Sequence, residues 1–301
     1  MPYKKAGDDA KLPAVLNSIN RADIAFSIYN GDIKDGSSHC TDDVYTQALA
    51  MFNGMRKPVV YVPGDNEWTD CHRTNNGGYD PLERLDHLRK VMVPTTASLG
   101  QKTMPLTRQA ELGQKLVENA RFQYREVTFV TLNVPGSNNN RVLNEKDCTN
   151  KSARTPAQCE AANAEQAERD TANIEWLRAA FAQARAKKSL GLVAVIQGDL
   201  GFDLPETEDK DESQAPSVSG YRQFVAALAE ETERFPGQVL LVHGDTHFFK
   251  MDKPLHNPSK MLTNFTRLQT FGSPSLHWVR VSVNPKSAHL FNIEPVIVRQ
   301  P

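Results

Sequence analysis

The stretch Pro58-Val59-Val60-Tyr61-Val62-Pro63-Gly64-Asp65-Asn66-Glu67-Trp68 decides how the chain is read. Four β-branched or aromatic residues between two prolines are too few for a helix and predict a buried strand. The strand stops at a turn loaded with oxygen donors. Open α/β sheets place ligand sites at the carboxyl ends of such strands, which makes Asp65 and Asn66 candidate site residues. Gly, Asp and Asn are also ordinary turn formers, so one corner of this kind settles nothing alone.

The same figure recurs outward from it. Upstream, Leu12, Val15, Leu16 and Ile19 have the spacing of a helix over Asp8 to Asn20. A strand over Ile24 to Tyr29 follows and ends in Asn30-Gly31-Asp32, and a helix over Thr41 to Met55 leads into the opening strand. Helix, strand, helix, strand implies parallel pairing through right-handed crossovers, which puts the Asp32 and Asp65 corners at one sheet edge. Downstream, a helix is expected over Pro81 to Val91 and one or two strands over Phe122 to Val134, ending in Pro135-Gly136-Ser137 and the triplet Asn138 to Asn140. A long Ala-rich helix is expected over Cys159 to Lys187. The apolar run Leu190 to Ile196 ends in Gln197-Gly198-Asp199. After a helix over Tyr221 to Phe235, the run from Val239 enters His243-Gly244-Asp245-Thr246-His247.

Three strand-like runs in the tail, Leu268 to Phe271, His277 to Val283 and His289 to Ile293, predict an antiparallel or mixed second sheet. Pro94 to Asn119 carries no clear pattern. The acidic stretch Glu206 to Ser217 lacks apolar anchors and reads as a surface insertion. No break in composition divides the chain, so residues 1–301 are expected to form a single domain.

A formal charge of −1 over 301 residues argues against a broad footprint for nucleic acid or anionic membrane. No apolar run approaches the roughly 20 residues that span a bilayer. The 39% of hydrophobic residues is enough for a substantial core. Cys40, Cys71, Cys148 and Cys159 all lie in polar sequence without C-x-x-C spacing, which suits two disulfides and an oxidising compartment better than a zinc knuckle. Three pairings are possible. Cys40 with Cys71 is favoured because both follow carboxylate-bearing strand ends whose loops should be neighbours, with Cys148 and Cys159 closing a short polar loop.

The strand ends thus offer Asp32, Asp65 with Asn66, Gln197 with Asp199, and Asp245 with His247. Oxygen donors and an imidazole converging at one edge suit one or two divalent cations, and two ions about 3.5–4 Å apart can clamp a phosphoryl group. His39, His72 and Arg73 sit in the loops just after the Asp32 and Asp65 corners. His243, closing an apolar run, reads as a core residue, and Trp68 and Trp278 read as packing residues.

In order and strand context, Gly31-Asp32-Ile33-Lys34-Asp35-Gly36, Gly64-Asp65-Asn66-Glu67 and Gly244-Asp245-Thr246-His247 resemble the calcineurin-like metallophosphoesterase family. That family's pattern runs Asp-x-His, Gly-Asp-x-x-Asp, Gly-Asn-His-Asp/Glu, a late His, then Gly-His-x-His. The first stretch matches the second element, the others take the places of the third and the last, and the likeness spans nearly the whole chain. It implies a four-layer α/β/β/α sandwich of two packed mixed β-sheets. It also implies that Asp32 is the metal-bridging carboxylate, that Asp65 takes the Asn ligand position and that His247 keeps the last His. Asn66 stands at the catalytic His, Asp245 at the first His of the last motif, and Gln197 or Gly198 at the late His. The family's first strand and its Asp-bearing loop have no counterpart before Met1-Pro2-Tyr3. The resemblance therefore implies a natural chain that extends upstream through a strand, a Gly-Asp and an export signal, with a periplasmic or secreted location.

Replacing imidazoles by carboxylate and amide oxygens hardens the site, favouring Mn or Mg, with Ca, Zn or Fe also possible. Losing the family's His removes a group typically worth about 10²–10⁴-fold, and His72 and Arg73 are the candidate substitutes. The implied activity is metal-dependent hydrolysis of a phosphorylated small molecule or a phosphodiester. The alternative is a non-catalytic relative that binds a ligand or partner at a degenerate site.

Overall fold

The computed structural model describes residues 3, 7–202, 212–257 and 260–299, so the expected insertion at 206–217 lies largely outside the described residues. The stretch that opens the sequence reading forms a strand, β2 (Val59–Val62), buried at every position. It pairs in parallel with β1 (Ser27–Asn30), Ile28 beside Val60 and Asn30 beside Val62. Alternation divides the faces of β2. Val59 and Tyr61 pack under two helices, α2 (Asp42–Asn53) and α3 (Pro81–Met92), against Tyr45, Phe52, Leu85, Leu88 and Met92. Val60 and Val62 point the other way, into an apolar layer with Phe122, Phe129, Val193, Val195, Leu240 and Leu268.

Those partners belong to a seven-stranded sheet of order β3-β4-β5-β6-β7-β9-β8. Its strands are β3 (Thr107–Arg108), β4 (Ala120–Tyr124), β5 (Val127–Thr131), β6 (Gly191–Val195), β7 (Gln238–His243), β8 (Lys250–Asp252) and β9 (Phe265–Gln269). The centre, β5-β6-β7-β9, is parallel, and antiparallel strands flank it. Central strands buried on both faces read as unbroken apolar runs, as Leu192 to Ile196 and Val239 to Val242 do. Their outer face carries two more helices, α6 (Pro156–Ala186), which follows the short α5 (Glu145–Thr149), and α7 (Arg222–Arg234), through Leu177, Phe181, Phe224 and Leu228. A capping box at Thr155 and Gln158, with Pro156 in the first turn, fixes the start of α6.

The layers therefore run helices, small sheet, large sheet, helices, the four-layer sandwich expected. An antiparallel hairpin, β10 (Trp278–Val283) and β11 (Phe291–Val296), joins the small-sheet side through Val279, Phe291 and Ile293. The tail departs from expectation in one respect. The run near Leu268 does not join a second sheet with the other two, because β9 pairs in parallel with β7 and completes the large sheet. The first helix, α1 (Asp8–Arg21), packs Val15 on Leu276 and Val298.

Two disulfides staple the chain, Cys40–Cys71 and Cys148–Cys159. The first ties the loops that follow β1 and β2. Cross-links of this kind belong to an oxidising compartment. No helix among the described residues is long and apolar enough to cross a membrane.

Candidate functional site

The corners after β1 and β2 meet through their glycines. A Cβ on Gly31 would stand 2.7 Å from Gly64 Cα, and one on Gly64 would stand 2.6 Å from Asp32 N. Only glycine lets the two backbones touch, and that contact brings Asp32 and Asp65 together. Glu67, fully buried, locks the pair from beneath. Its carboxylate accepts the amides of Gly64 at 2.7 Å and Asp32 at 3.1 Å and the Tyr61 hydroxyl at 2.8 Å.

The large sheet delivers the rest. Gln197, at the end of β6, donates its amide to Asp32 Oδ1 at 3.2 Å, Asp65 Oδ1 at 3.1 Å and Asp245 Oδ1 at 3.5 Å. Three carboxylates thus share one neutral donor. Asp199 stays outside the cluster, where its backbone amide donates to Asp245 Oδ2. His247 accepts or donates at Asp32 Oδ2 through Nε2, 3.3 Å away, while its Nδ1 lies 3.1 Å from the Ser273 carbonyl. A carbonyl takes only a donor, so Nδ1 carries the proton and Nε2 presents a lone pair.

Burial, then Asp65 and Glu67, push Asp32 well above the usual carboxylate range; burial, then Asp65 and Asp32, do the same to Asp245. Burial pulls His247 below its ordinary value, which keeps the ring neutral. A neutral imidazole lone pair therefore faces a carboxylate. Among the described residues no lysine or arginine forms an ion pair with Asp32, Asp65 or Asp245.

A fourth wall comes from α4 (Gly136–Asn139), a single turn wound left-handed. Gly136 donates its amide to Gln197 Oε1 at 2.6 Å, and a Cβ there would lie 2.6 Å from Asp65 Oδ2 and 2.7 Å from Asp245 Oδ1. Ser137 Oγ lies 3.0 Å from Asp65 Oδ2 and 2.7 Å from Asp70 Oδ1. Asp70, pushed up to about 7 by burial and by Asp65, also pairs with Arg73 at 2.7 Å. Of twelve non-glycine residues with positive φ among the described ones, seven belong to this site: Asp32, Ser137, Asn138, Asn139, Asn140, Asp245 and His247. Each such residue costs on the order of 1 kcal/mol, and strain of this kind collects where geometry serves a function. Arg169, buried on α6, holds the turn by donating to Asn133 O, Asn139 O and Asn139 Oδ1 at 2.5–2.9 Å.

The fold thus gathers Asp32, Asp65, Gln197, Asp245 and His247 at one point. Asn66 sits beside them, donating to the Tyr3 hydroxyl at 2.8 Å; that hydroxyl lies 3.3 Å from His247 Nε2. Arg73 reaches Ser137 at 3.3 Å. His72 turns away to Ser152 Oγ at 2.8 Å and is pulled down to about 3 by burial and by Arg154 and Arg73. His39 is exposed, while His243 and Trp68 are buried in the core. Tyr3, Glu67, Gly136, Ser137 and Asp70 were not singled out from sequence. Only Glu67, placed three residues after a strand-end glycine, carried a local signal.

In charge and donor type these residues suit a hard divalent cation. As they stand, no three His, Cys, Asp or Glu side chains among the described residues form a metal-holding group, and the Gln197 amide nitrogen lies 3.1–3.5 Å from the three carboxylates. A half-turn of that amide would present its oxygen instead and release the Gly136 amide.

No protein-family model and no curated protein sequence matches the chain. Among solved structures, that of PhoD covers 89% of this chain with a TM-score of 0.54 and 12% sequence identity. The fold is metallophosphoesterase-like. The aligned part makes up 55% of the PhoD chain, so this chain spans about half the length of that protein. The Thermus thermophilus sulfate thiohydrolase SoxB, in complex with glycerol, aligns over 90% of this chain and 38% of its own, with 11% identity and a TM-score of 0.41. The likeness to PhoD speaks to the fold alone, and the chemistry rests on the residues described above.

Proposed function

We propose that the protein is an exported, metal-dependent phosphoesterase that hydrolyses a phosphomonoester or phosphodiester. One observation carries this reading: two buried carboxylates, Asp32 and Asp65, a half-buried third, Asp245, and a neutral imidazole face one another, and among the described residues no lysine or arginine is ion-paired with them. Asp32, Asp65, Asp245, His247 and a turned Gln197 would hold one or two divalent cations, with Mn or Mg the best match to a mostly oxygen donor set. A cation held there supplies Lewis-acid polarisation of a phosphoryl oxygen and a water acidic enough to react at neutral pH.

The chain's own residues do the rest. Glu67 and the paired glycines hold Asp32 and Asp65 in register. Gly136 leaves open the space that a side chain would take from Asp65 and Asp245. Arg73, tethered by Asp70, offers a fixed charge to the equatorial oxygens of a phosphoryl group. Asn66 stands where the resembled family has its imidazole, and its amide orients the Tyr3 hydroxyl. Burial and the carboxylates of Asp32 and Asp65 keep that hydroxyl protonated, so it meets His247 as a neutral hydrogen-bonding group. The two disulfides support an extracytoplasmic, periplasmic or secreted setting.

A second reading is favoured by the Gln197 amide, whose nitrogen lies among the three carboxylates where a cation would be. In that reading the cluster is closed by a hydrogen-bond donor, and the protein binds a ligand without turnover. Hydrolysis of p-nitrophenyl phosphate and its bis ester with Mn²⁺ separates the two. Activity lost in chelator and in Asp32→Ala supports the enzyme. Absence of both turnover and Mn²⁺ binding supports the second reading and rejects the metal-dependent one.

A further inference from the structure

Beside the carboxylate cluster opens a cleft of about 760 Å³ that shares Asp70 and Ser137 with it. Among the described residues its walls carry Arg73, Arg141, Lys151 and Arg154, together with two carboxylates, Asp70 and Asp147. Asp70 is taken by Arg73, and Asp147 Oδ2 accepts the Leu143 amide at 3.0 Å. Among the described residues, Arg141, Lys151 and Arg154 form no ion pair.

Arg154 is the most constrained of the three. It donates to Asn140 Oδ1 at 2.7 Å, and its Nε is buried without a hydrogen-bond partner. Burial draws this guanidinium down to about 10. A partly desolvated cation wants an anion, and a guanidinium meets a phosphate through paired N–H bonds. The neutral His72, flanked by Arg154 and Arg73, adds no competing charge.

The remaining wall narrows the ligand. Apart from Leu143, the described lining is amide, hydroxyl, imidazole or charged, and it contains no phenyl, phenol or indole ring. A nucleobase would find no such face to stack on, and an acyl chain would find no apolar trough. Asparagine amides and hydroxyls suit a polyol instead.

We propose that this cleft recognises a polyhydroxylated small molecule bearing a second anionic group, a sugar or cyclitol bisphosphate, with one phosphoryl group at the carboxylate cluster and the other at Arg154, Arg141 and Lys151. The assignment rests on the phosphoesterase reading, and the test keeps the two apart.

Phosphate release from glucose 1,6-bisphosphate, glucose 6-phosphate and p-nitrophenyl phosphate is measured with Mn²⁺ in wild type, Arg154→Met and Arg141→Met. Charged hydrogen bonds contribute about 1.5–3 kcal/mol, so wild type should prefer the bisphosphate by roughly 10–100-fold in kcat/KM. Arg154→Met should erase that preference and leave p-nitrophenyl phosphate turnover unchanged. Arg141 is exposed, so its variant stays folded and should lose part of the preference. Calorimetric binding of glucose 1,6-bisphosphate, weakened in both variants and by added salt, reads the cleft even without turnover. Equal handling of the two sugar phosphates by wild type, or a preference and an affinity that survive both substitutions, overturns the proposal. Failure on every ester with intact bisphosphate binding overturns the phosphoesterase reading alone.

Discussion

Replacing Gln197 by glutamate puts a fourth carboxylate where an amide now serves three. The amide nitrogen lies 3.1–3.5 Å from Asp32, Asp65 and Asp245. Two like unit charges about 3 Å apart repel by about 5 kcal/mol at an effective dielectric of about 20. The new side chain escapes that penalty by remaining protonated. Holding a carboxyl neutral at pH 7, nearly three units above its ordinary value of about 4.3, costs about 4 kcal/mol. Its single proton also replaces two N–H donors, for a further loss of about 1 kcal/mol. Gln197→Glu should therefore be about 5 kcal/mol less stable than wild type at pH 7 in chelator. Near pH 4 the deficit should shrink to about 1 kcal/mol, because protonation is then free. Excess Mn²⁺ should restore much of the loss by giving the added carboxylate a cation to bind. Urea unfolding followed by tryptophan fluorescence reads all three conditions. A variant as stable as wild type at pH 7 in chelator would refute the shared-amide arrangement.

Gly136→Ala forces a methyl against oxygens of Asp65 and Asp245, at 2.6–2.9 Å. Overpacking of this kind costs about 1–3 kcal/mol, and calorimetry should show Mn²⁺ affinity at least about tenfold lower with the fold retained by circular dichroism. Arg169→Met removes the donor to two backbone carbonyls and the partner of Glu165, 2.6 Å away. Breaking a buried pair costs about 3–5 kcal/mol, read as a lower urea midpoint, and the left-handed turn should become open to proteolysis. Asp70, held near 7 in the folded chain by burial and Asp65, binds its proton more tightly folded than unfolded. Its contribution is thus most favourable below about pH 4 and is lost as pH rises towards 7. In chelator, Asp70→Asn should flatten that part of the stability profile, and an unchanged slope would contradict the assignment.

The corners at Asp32 and Asp65 were legible because their determinants are local: a β-branched run, a glycine that permits close approach, and the parallel pairing that helix–strand alternation imposes. Asp245 and Gln197 were legible for the same reason, each ending an unbroken apolar strand. The turn at Ser137 to Asn140 was not. An asparagine triplet permits left-handed backbone, but what holds it there is Arg169 on a distant helix. Tyr3 likewise meets His247 across 244 positions, a contact that no periodicity announces. The tail was misjudged because β9 takes its place beside β7 through a long crossover, and short strands near one another in sequence need not share a sheet. The Cys40–Cys71 pairing followed from placing two loops at one edge, so it was legible once the sheet was.

The central claim is that the cluster of Asp32, Asp65, Asp245 and His247 is built for a cation. Calorimetric titration of chelator-stripped protein with Mn²⁺, alongside Asp65→Asn and Asp245→Asn, tests it most directly. Saturable binding in wild type, weakened at least about tenfold in each variant and accompanied by a raised unfolding midpoint, is the predicted result. No heat and no stabilisation in wild type, or binding indifferent to both substitutions, would contradict it.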